Sequence, residues 1–189
     1  MKLKGKTVLF LGSSVTYGAA SGGVSFADLM AQRCEIKSIK DAVSGTTLAD
    51  INEKSYVARL KKIDPTTHID LFVCQLSTND ANPARDVDIN DTEKGIRFIL
   101  DYVKATFNCP IVFYTGTYFE NEKYVKLIEL LYSLKNEYDF YILDLYNDKQ
   151  MQSVSDETYN LYMKDPVHPT LDGYSQWWTP KFIEFCEEI

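Results

Sequence analysis

The sequence predicts an α/β protein built on a largely parallel sheet. Short β-rich runs recur along the chain, and amphipathic helical patterns separate them. The runs are apolar at nearly every position, which suits strands covered on both faces and not strands with one wet face. The order read from these signals is β-α-β-α-β-α-β-α-β-α, with right-handed crossovers expected.

The first run is Thr7–Leu11, ended by Gly12; the second, Ile36–Ile39, is weaker. Asp70–Leu76, Ile111–Thr115 and Phe140–Leu143 follow. Between them, helices are expected over Ser25–Cys34, Leu48–Leu60, Asn90–Phe107 and Glu122–Tyr138, with a last one over about Leu171 to Glu187. Asn90 and Glu93 have the spacing of an N-terminal cap pair. Behind them Ile96, Ile99, Leu100, Val103 and Phe107 repeat at helical spacing. In the next helix Val125, Ile128, Leu131 and Leu134 share one side. Trp177 and Trp178 fall in the last helix and are assigned to packing. No repeat, linker or low-complexity stretch divides residues 1–189, which read as one domain.

Composition narrows the function. A chain of 189 residues with 45% hydrophobic and 25% charged residues can build a full core without metal or disulfide staples. Its net charge of −7 argues against nucleic acid and anionic lipid as partners. The one tight basic cluster, Arg59, Lys61 and Lys62, reads as a solvated helix face. The four cysteines form no C-x-x-C pair, and two histidines cannot make a three-histidine metal site. Cys74 and Cys109 lie in or beside apolar runs and read as buried thiols, which suits a reducing compartment. Val8–Leu11 is too short for a signal-peptide core, and no segment has the length of a membrane span, so a cytoplasmic location is expected.

In open parallel sheets, ligands bind beyond the carboxyl ends of the strands. The segments to search are therefore Gly12–Gly18, Asp41–Thr47, Ser77–Arg85, Gly116–Asn121 and Asp144–His168. After the first strand, Gly12-Ser13-Ser14-Val15-Thr16-Tyr17-Gly18 is a hydroxyl-rich turn that can expose a serine or cradle an anion. Gly45 can present an unobstructed N–H, and Asn79 a side-chain amide. Asp165 lies three residues before His168, in a loop stiffened by Pro166 and Pro169. Each signal alone has a plainer reading: a helix cap, a turn glycine, a turn asparagine, an exposed loop histidine. Together they supply a hydroxyl nucleophile, three oxyanion donors, a base and an orienting acid, the set acyl transfer needs. His68 precedes a strand, at the opposite end of the sheet, and reads as structural.

In these blocks the chain resembles the SGNH (GDSL-type) hydrolases over nearly its whole length. Ser14 matches the nucleophile, Gly45 the second-block glycine, Asn79 the third-block asparagine, and Asp165, His168 and Pro169 the D-x-x-H-P block. Ser13 stands where the family usually has aspartate, and Ser77 where it usually has glycine; neither change removes a catalytic group. The resemblance implies a flavodoxin-like three-layer α/β/α sandwich with five parallel strands. It also implies a serine esterase acting on small-molecule esters without metal or cofactor. In that reading Ser14, His168 and Asp165 form the triad, and the N–H groups of Ser14 and Gly45 with the Asn79 amide form the oxyanion hole. Tyr17, Tyr118, Tyr114, Phe119, Tyr124 and Arg85 are candidates for the acyl or leaving-group site, with simple packing the competing reading for each. The alternative function is a non-catalytic phosphate- or nucleotide-binding or scaffold protein. It explains the first block but leaves Asn79 and the Asp165–His168 pair without a role. The oligomeric state is not legible in the sequence.

Overall fold

Residues that alternate along each central strand go to opposite sides of the sheet. The computed structural model describes residues 1–189. In β1 (Thr7–Gly12), Leu9 and Leu11 join one core while Val8 and Phe10 join the other. In β3 (Leu71–Gln75) the same split separates Phe72 and Cys74 from Leu71 and Val73, and in β4 (Ile111–Tyr114) Ile111 and Phe113 from Val112 and Tyr114. Two cores, one on each face, are why these runs lack polar alternation.

With β2 (Lys37–Ala42) and β5 (Tyr141–Leu143), the strands form one sheet in the order β2-β1-β3-β4-β5, every neighbouring pair parallel. This is the flavodoxin-like order, and strand order reverses beside β1. The carboxyl ends of β1 and β3 therefore part company, and their loops open the crevice in which a ligand can bind.

One face is covered by α3 (Tyr56–Leu60), α4 (Ile89–Thr106) and α5 (Glu122–Leu134). The other carries α2 (Phe26–Cys34), and a π-helical turn, Gly173–Trp178, that runs into α8 (Thr179–Glu188). Helix α1 (Ser14–Tyr17) is a single turn after β1, and α6 (Lys149–Gln152) and α7 (Asp156–Tyr162) interrupt the long segment before His168. Phe26 lies at the centre of the second core, 3.8 Å from Phe182 and 6.2 Å from Trp178 between ring centroids, both stacked. Trp178 is fully buried there, as the packing assignment expected.

Several expected boundaries move. Of Leu48–Leu60 only Tyr56–Leu60 is helical. Polar side chains upstream compete with a helix: Ser55 donates to Asp50 (2.6 Å), and the Lys54 N–H donates to Asn52 (2.9 Å). Ser55 then caps α3 by accepting the N–H of Ala58. The cap of α4 is Asp88, which accepts the N–H of Asn90 at 2.7 Å, so Asn90 is already inside the helix. In α5 the buried face is Tyr124, Leu127, Ile128, Leu131 and Leu134, while Val125 is exposed. β2 runs on to Ala42, three residues further than expected, because it pairs with β1 along its whole length.

Cys74, Cys109 and Cys186 are buried and Cys34 half-buried, all four as free thiols. Burial pushes the Cys109 thiol up to about 11 and that of Cys186 up to about 12, the mark of inert core cysteines. No helix is long and apolar enough to cross a membrane.

Candidate active site

β1 ends at Gly12 and turns at once into α1. A Cβ on Gly12 would lie 1.7 Å from Thr16 Oγ1 and 2.8 Å from Gln75 Oε1, so the turn closes this tightly only on glycine. Gln75 ends the neighbouring β3, and its Oε1 is the anchor of the turn. It accepts from the Ser13 N–H (2.9 Å), the Ser13 hydroxyl (3.3 Å) and the Thr16 hydroxyl (2.9 Å). Thr16 Oγ1 in turn lies 2.6 Å from the hydroxyl of Tyr114, which ends β4. Three strands thus hold the two residues between Ser13 and Thr16 in place. The first of them, Ser14, heads α1, where its N–H has no acceptor within the helix.

Ser14 Oγ lies 2.8 Å from His168 Nε2. On the other side of the ring, His168 Nδ1 lies 2.8 Å and 2.9 Å from the two carboxylate oxygens of Asp165. A carboxylate only accepts, so the ring proton belongs on Nδ1, and Nε2 turns a lone pair to the Ser14 hydroxyl. Asp165 Oδ1 also accepts the N–H groups of Val167 (2.8 Å) and His168 (2.9 Å), which folds the loop around its own carboxylate. The His168 carbonyl takes the Lys164 N–H at 2.8 Å and closes the loop's base.

Asn79 follows β3 and lines a cleft of about 220 Å³ together with Ser14, His168, Asn82, Phe119 and Asn121. Its amide donates to the carbonyl of Thr46 at 2.9 Å, which ties it to the loop that carries Gly45. Gly45 has φ +77°, a left-handed conformation that disfavours any side chain, and its N–H makes no hydrogen bond within the chain.

Beneath this loop sits Arg59, which the sequence reading placed on a solvated face. It is instead buried, because it has acceptors on every side. It donates to the carbonyls of Gly12 (2.7 Å), Asp41 (2.9 Å) and Lys54 (3.0 Å), and it pairs with the Asp41 carboxylate. Arg59 therefore bolts the turn that presents Ser14 to the loop that presents Gly45. Lys61 and Lys62 are exposed, as expected.

Residues 10–176 match the family described as the GDSL-like lipase/acylhydrolase family. The chain belongs to this family. It is an ester-bond hydrolase with the three-layer fold of the SGNH esterases. A search of curated protein sequences returned no match. Among solved structures, the hydrolase is similar to a protein from Lactobacillus plantarum, with a TM-score of 0.81 and 18% identity over 98% of either chain. It is also similar to the M. smegmatis aryl esterase (TM-score 0.73, 15% identity, 97% of this chain and 99% of that one). A carbohydrate acetylesterase family member from Sinorhizobium meliloti has a TM-score of 0.70 at 17% identity, over 97% of this chain and 100% of that one. At these identities the likeness is one of fold.

In this GDSL-like hydrolase Asp80 joins the loop that carries Asn79 to the loop that carries Gly45. Its buried carboxylate accepts the N–H groups of Leu48 and Ala49, both at 2.8 Å, and the Thr92 hydroxyl at 2.9 Å. Ser77 is buried beside it, and its hydroxyl oxygen accepts the Asp80 N–H at 3.4 Å. The aromatic candidates separate. Phe119 lines the Ser14 cleft. Tyr118 lines a neighbouring cleft of about 310 Å³ with Thr117, Met151 and Trp177, and Tyr17 is exposed beneath Lys40. Tyr114 and Tyr124 are fully buried in the cores. His68 is exposed beside Asp70, at the other end of the sheet. A cleft of about 330 Å³ at that end, near Asn108, Pro110 and Tyr141, holds none of the candidate residues. No group of three or more His, Cys, Asp or Glu side chains is placed to hold a metal ion.

Gln75, Arg59, Asp80 and the cleft asparagines Asn82 and Asn121 were missed in the sequence. Gln75 left a readable trace, as the one polar side chain in the interior of the run Leu71–Leu76.

Partial burial alone would raise the Asp165 carboxyl. Hydrogen bonds from the Val167 N–H, the His168 ring and the His168 N–H outweigh it and hold the group below the usual carboxylate range. A carboxyl depressed by folding contributes stability above its unfolded pKa, about 3.9, and loses it as the pH falls through the lower folded value. Asp165→Asn should therefore be less stable than the parent in urea at pH 7, with the gap narrowing as the pH falls below the unfolded value of about 3.9. A gap that persisted at low pH would separate the loop's stability from this carboxylate.

Proposed function

We propose that this hydrolase is a serine esterase that cleaves carboxylic esters, small acyl or acetyl esters among them, through an acyl-enzyme on Ser14. The observation that carries this reading is the 2.8 Å approach of Ser14 Oγ to His168 Nε2, with Asp165 on the opposite ring nitrogen. His168 takes the hydroxyl proton as Ser14 Oγ attacks the ester carbonyl, and Asp165 stabilises the imidazolium that forms. The carbonyl oxygen becomes an oxyanion, met by the N–H groups of Ser14 and Gly45 and by the Asn79 amide. The intermediate collapses, and His168 returns the proton to the departing alcohol. Water then enters, gives a proton to His168 and attacks the acyl-enzyme, and the carboxylic acid leaves as Ser14 regains its proton. Each step uses only groups of this chain, the ester and water.

We infer one catalytic unit over residues 1–189 whose partner is a small-molecule ester and not a nucleic acid. Tyr17 and Tyr118 remain candidates for substrate parts that reach beyond the Ser14 cleft. The free thiols support a cytoplasmic location.

Intact-mass spectrometry after treatment with a small fluorophosphonate, beside 4-nitrophenyl acetate turnover, tests the proposal. The parent should take one adduct and turn over the ester, and Ser14→Ala should do neither. A folded parent that took no adduct would overturn the acyl-enzyme.

A further inference from the structure

The chain has four arginines, and three are engaged. Arg33 donates to Ser175, Arg59 pairs with Asp41, and Arg97 pairs with Glu93 and Glu137. Arg85 is exposed and has neither an ion pair nor a side-chain hydrogen bond within the chain. It ends a short 3-10 turn, Pro83–Arg85, whose first residue lines the Ser14 cleft. Its Nη2 lies 3.1 Å from the point where a Cβ on Gly45 would stand. The guanidinium thus rests against the backbone of an oxyanion-donor residue, in space that only a glycine leaves open.

The cleft beside it is poor in acceptors. No aspartate or glutamate lines it, although the chain carries a net charge of −7. The side-chain oxygens of its two rim asparagines are already used: Asn82 Oδ1 accepts the Ala84 N–H at 3.0 Å, and Asn121 Oδ1 the Tyr124 N–H at 2.9 Å. The Asn82 amide N–H groups stay free, next to five unpaired guanidinium donors. A permanently charged, planar fork beside a cleft that offers further donors and is lined by no carboxylate matches one planar anion.

We propose that Arg85 is a specificity-determining residue that binds a carboxylate carried by the ester substrate. The inference rests on the esterase reading of Ser14 and names the substrate class of that same site: esters of dicarboxylic acids, or acyl esters of hydroxy acids. Arg85 takes no part in bond making.

Two carboxylate esters distinguish the sources of the charge. Mono-4-nitrophenyl succinate carries it on the acyl group and is compared with 4-nitrophenyl butyrate. The acetyl ester of 4-hydroxybenzoate carries it on the leaving group and is compared with phenyl acetate. The parent should favour at least one carboxylate ester over its neutral counterpart in kcat/KM, by on the order of ten-fold. Arg85→Gln should abolish that preference, chiefly through a raised KM for the carboxylate ester, so that the ratio of the two kcat/KM values falls to about one. Added salt should shrink the preference in the parent alone, since the arginine is exposed. A preference that survives in Arg85→Gln, or a parent with no preference for either carboxylate, overturns the proposal. Failure of the esterase reading appears differently, as lost turnover of every ester, the neutral ones included. The arginine is then read by calorimetry of mono-4-nitrophenyl succinate with Ser14→Ala. Weaker binding once Arg85→Gln is added supports the proposal, and equal affinity overturns it.

Discussion

Replacing His168 with alanine is expected to lower kcat for 4-nitrophenyl acetate by about 10⁶-fold, and replacing Asp165 by about 10⁴-fold. The order follows from what each group touches. His168 alone reaches the Ser14 hydroxyl, and without it no side chain stands ready to take that proton. Asp165 acts one bond further back, by fixing the ring proton on Nδ1 and the loop around it. Its loss leaves an imidazole that still visits the productive tautomer. Circular dichroism and thermal melts on both variants separate lost chemistry from lost fold. An Asp165→Ala chain less active than His168→Ala would reverse the roles assigned to the pair.

Gly12→Ala is the second large effect, although no atom of Gly12 takes part in proton transfer. The added methyl would meet Thr16 Oγ1 at 1.7 Å, Thr16 Cβ at 2.6 Å and Gln75 Oε1 at 2.8 Å. The first two contacts lie within the same turn, and a rotamer change at Thr16 cannot relieve the Cβ contact. The backbone must open, which costs about 1–3 kcal/mol of stability. Opening also pulls Ser13 and Thr16 off the Gln75 side chain and carries Ser14 away from His168. A misplacement of roughly 1 Å at a reacting atom costs about 10²-fold. Urea denaturation should show the stability loss and 4-nitrophenyl acetate kinetics the fall in kcat. Parent-like activity in Gly12→Ala would mean that the turn can relax without moving its serine.

The strands and the long helices were legible because both are written in local periodicity. Leu9 and Phe10 need no knowledge of distant residues to announce a strand with two covered faces. The blocks around Ser14, Gly45, Asn79 and His168 were legible for a different reason: each sits where a strand ends, and their chemistry is complementary. What stayed hidden depends on partners far apart in the chain. Arg59 reads as surface charge beside Lys61 and Lys62, since its acceptors at Gly12 and Asp41 lie on other elements. Leu48 and Ala49 look helical, and only the carboxylate of Asp80 explains the loop they form. The aromatic residues near the site could not be sorted either. Phe119 reaches the cleft while its neighbour Tyr118 turns to another, a difference that a sequence pattern does not carry.

Ser14 and His168 are 154 positions apart. On the ribosome, at roughly 5–20 residues per second, the serine waits on the order of ten to thirty seconds for its base to be made. During that time the first strand and its turn can form, but Ser14 has no imidazole beside it. The contact between Ser14 and His168 cannot form until residue 168 has been made and the loop that carries it has folded against the first turn.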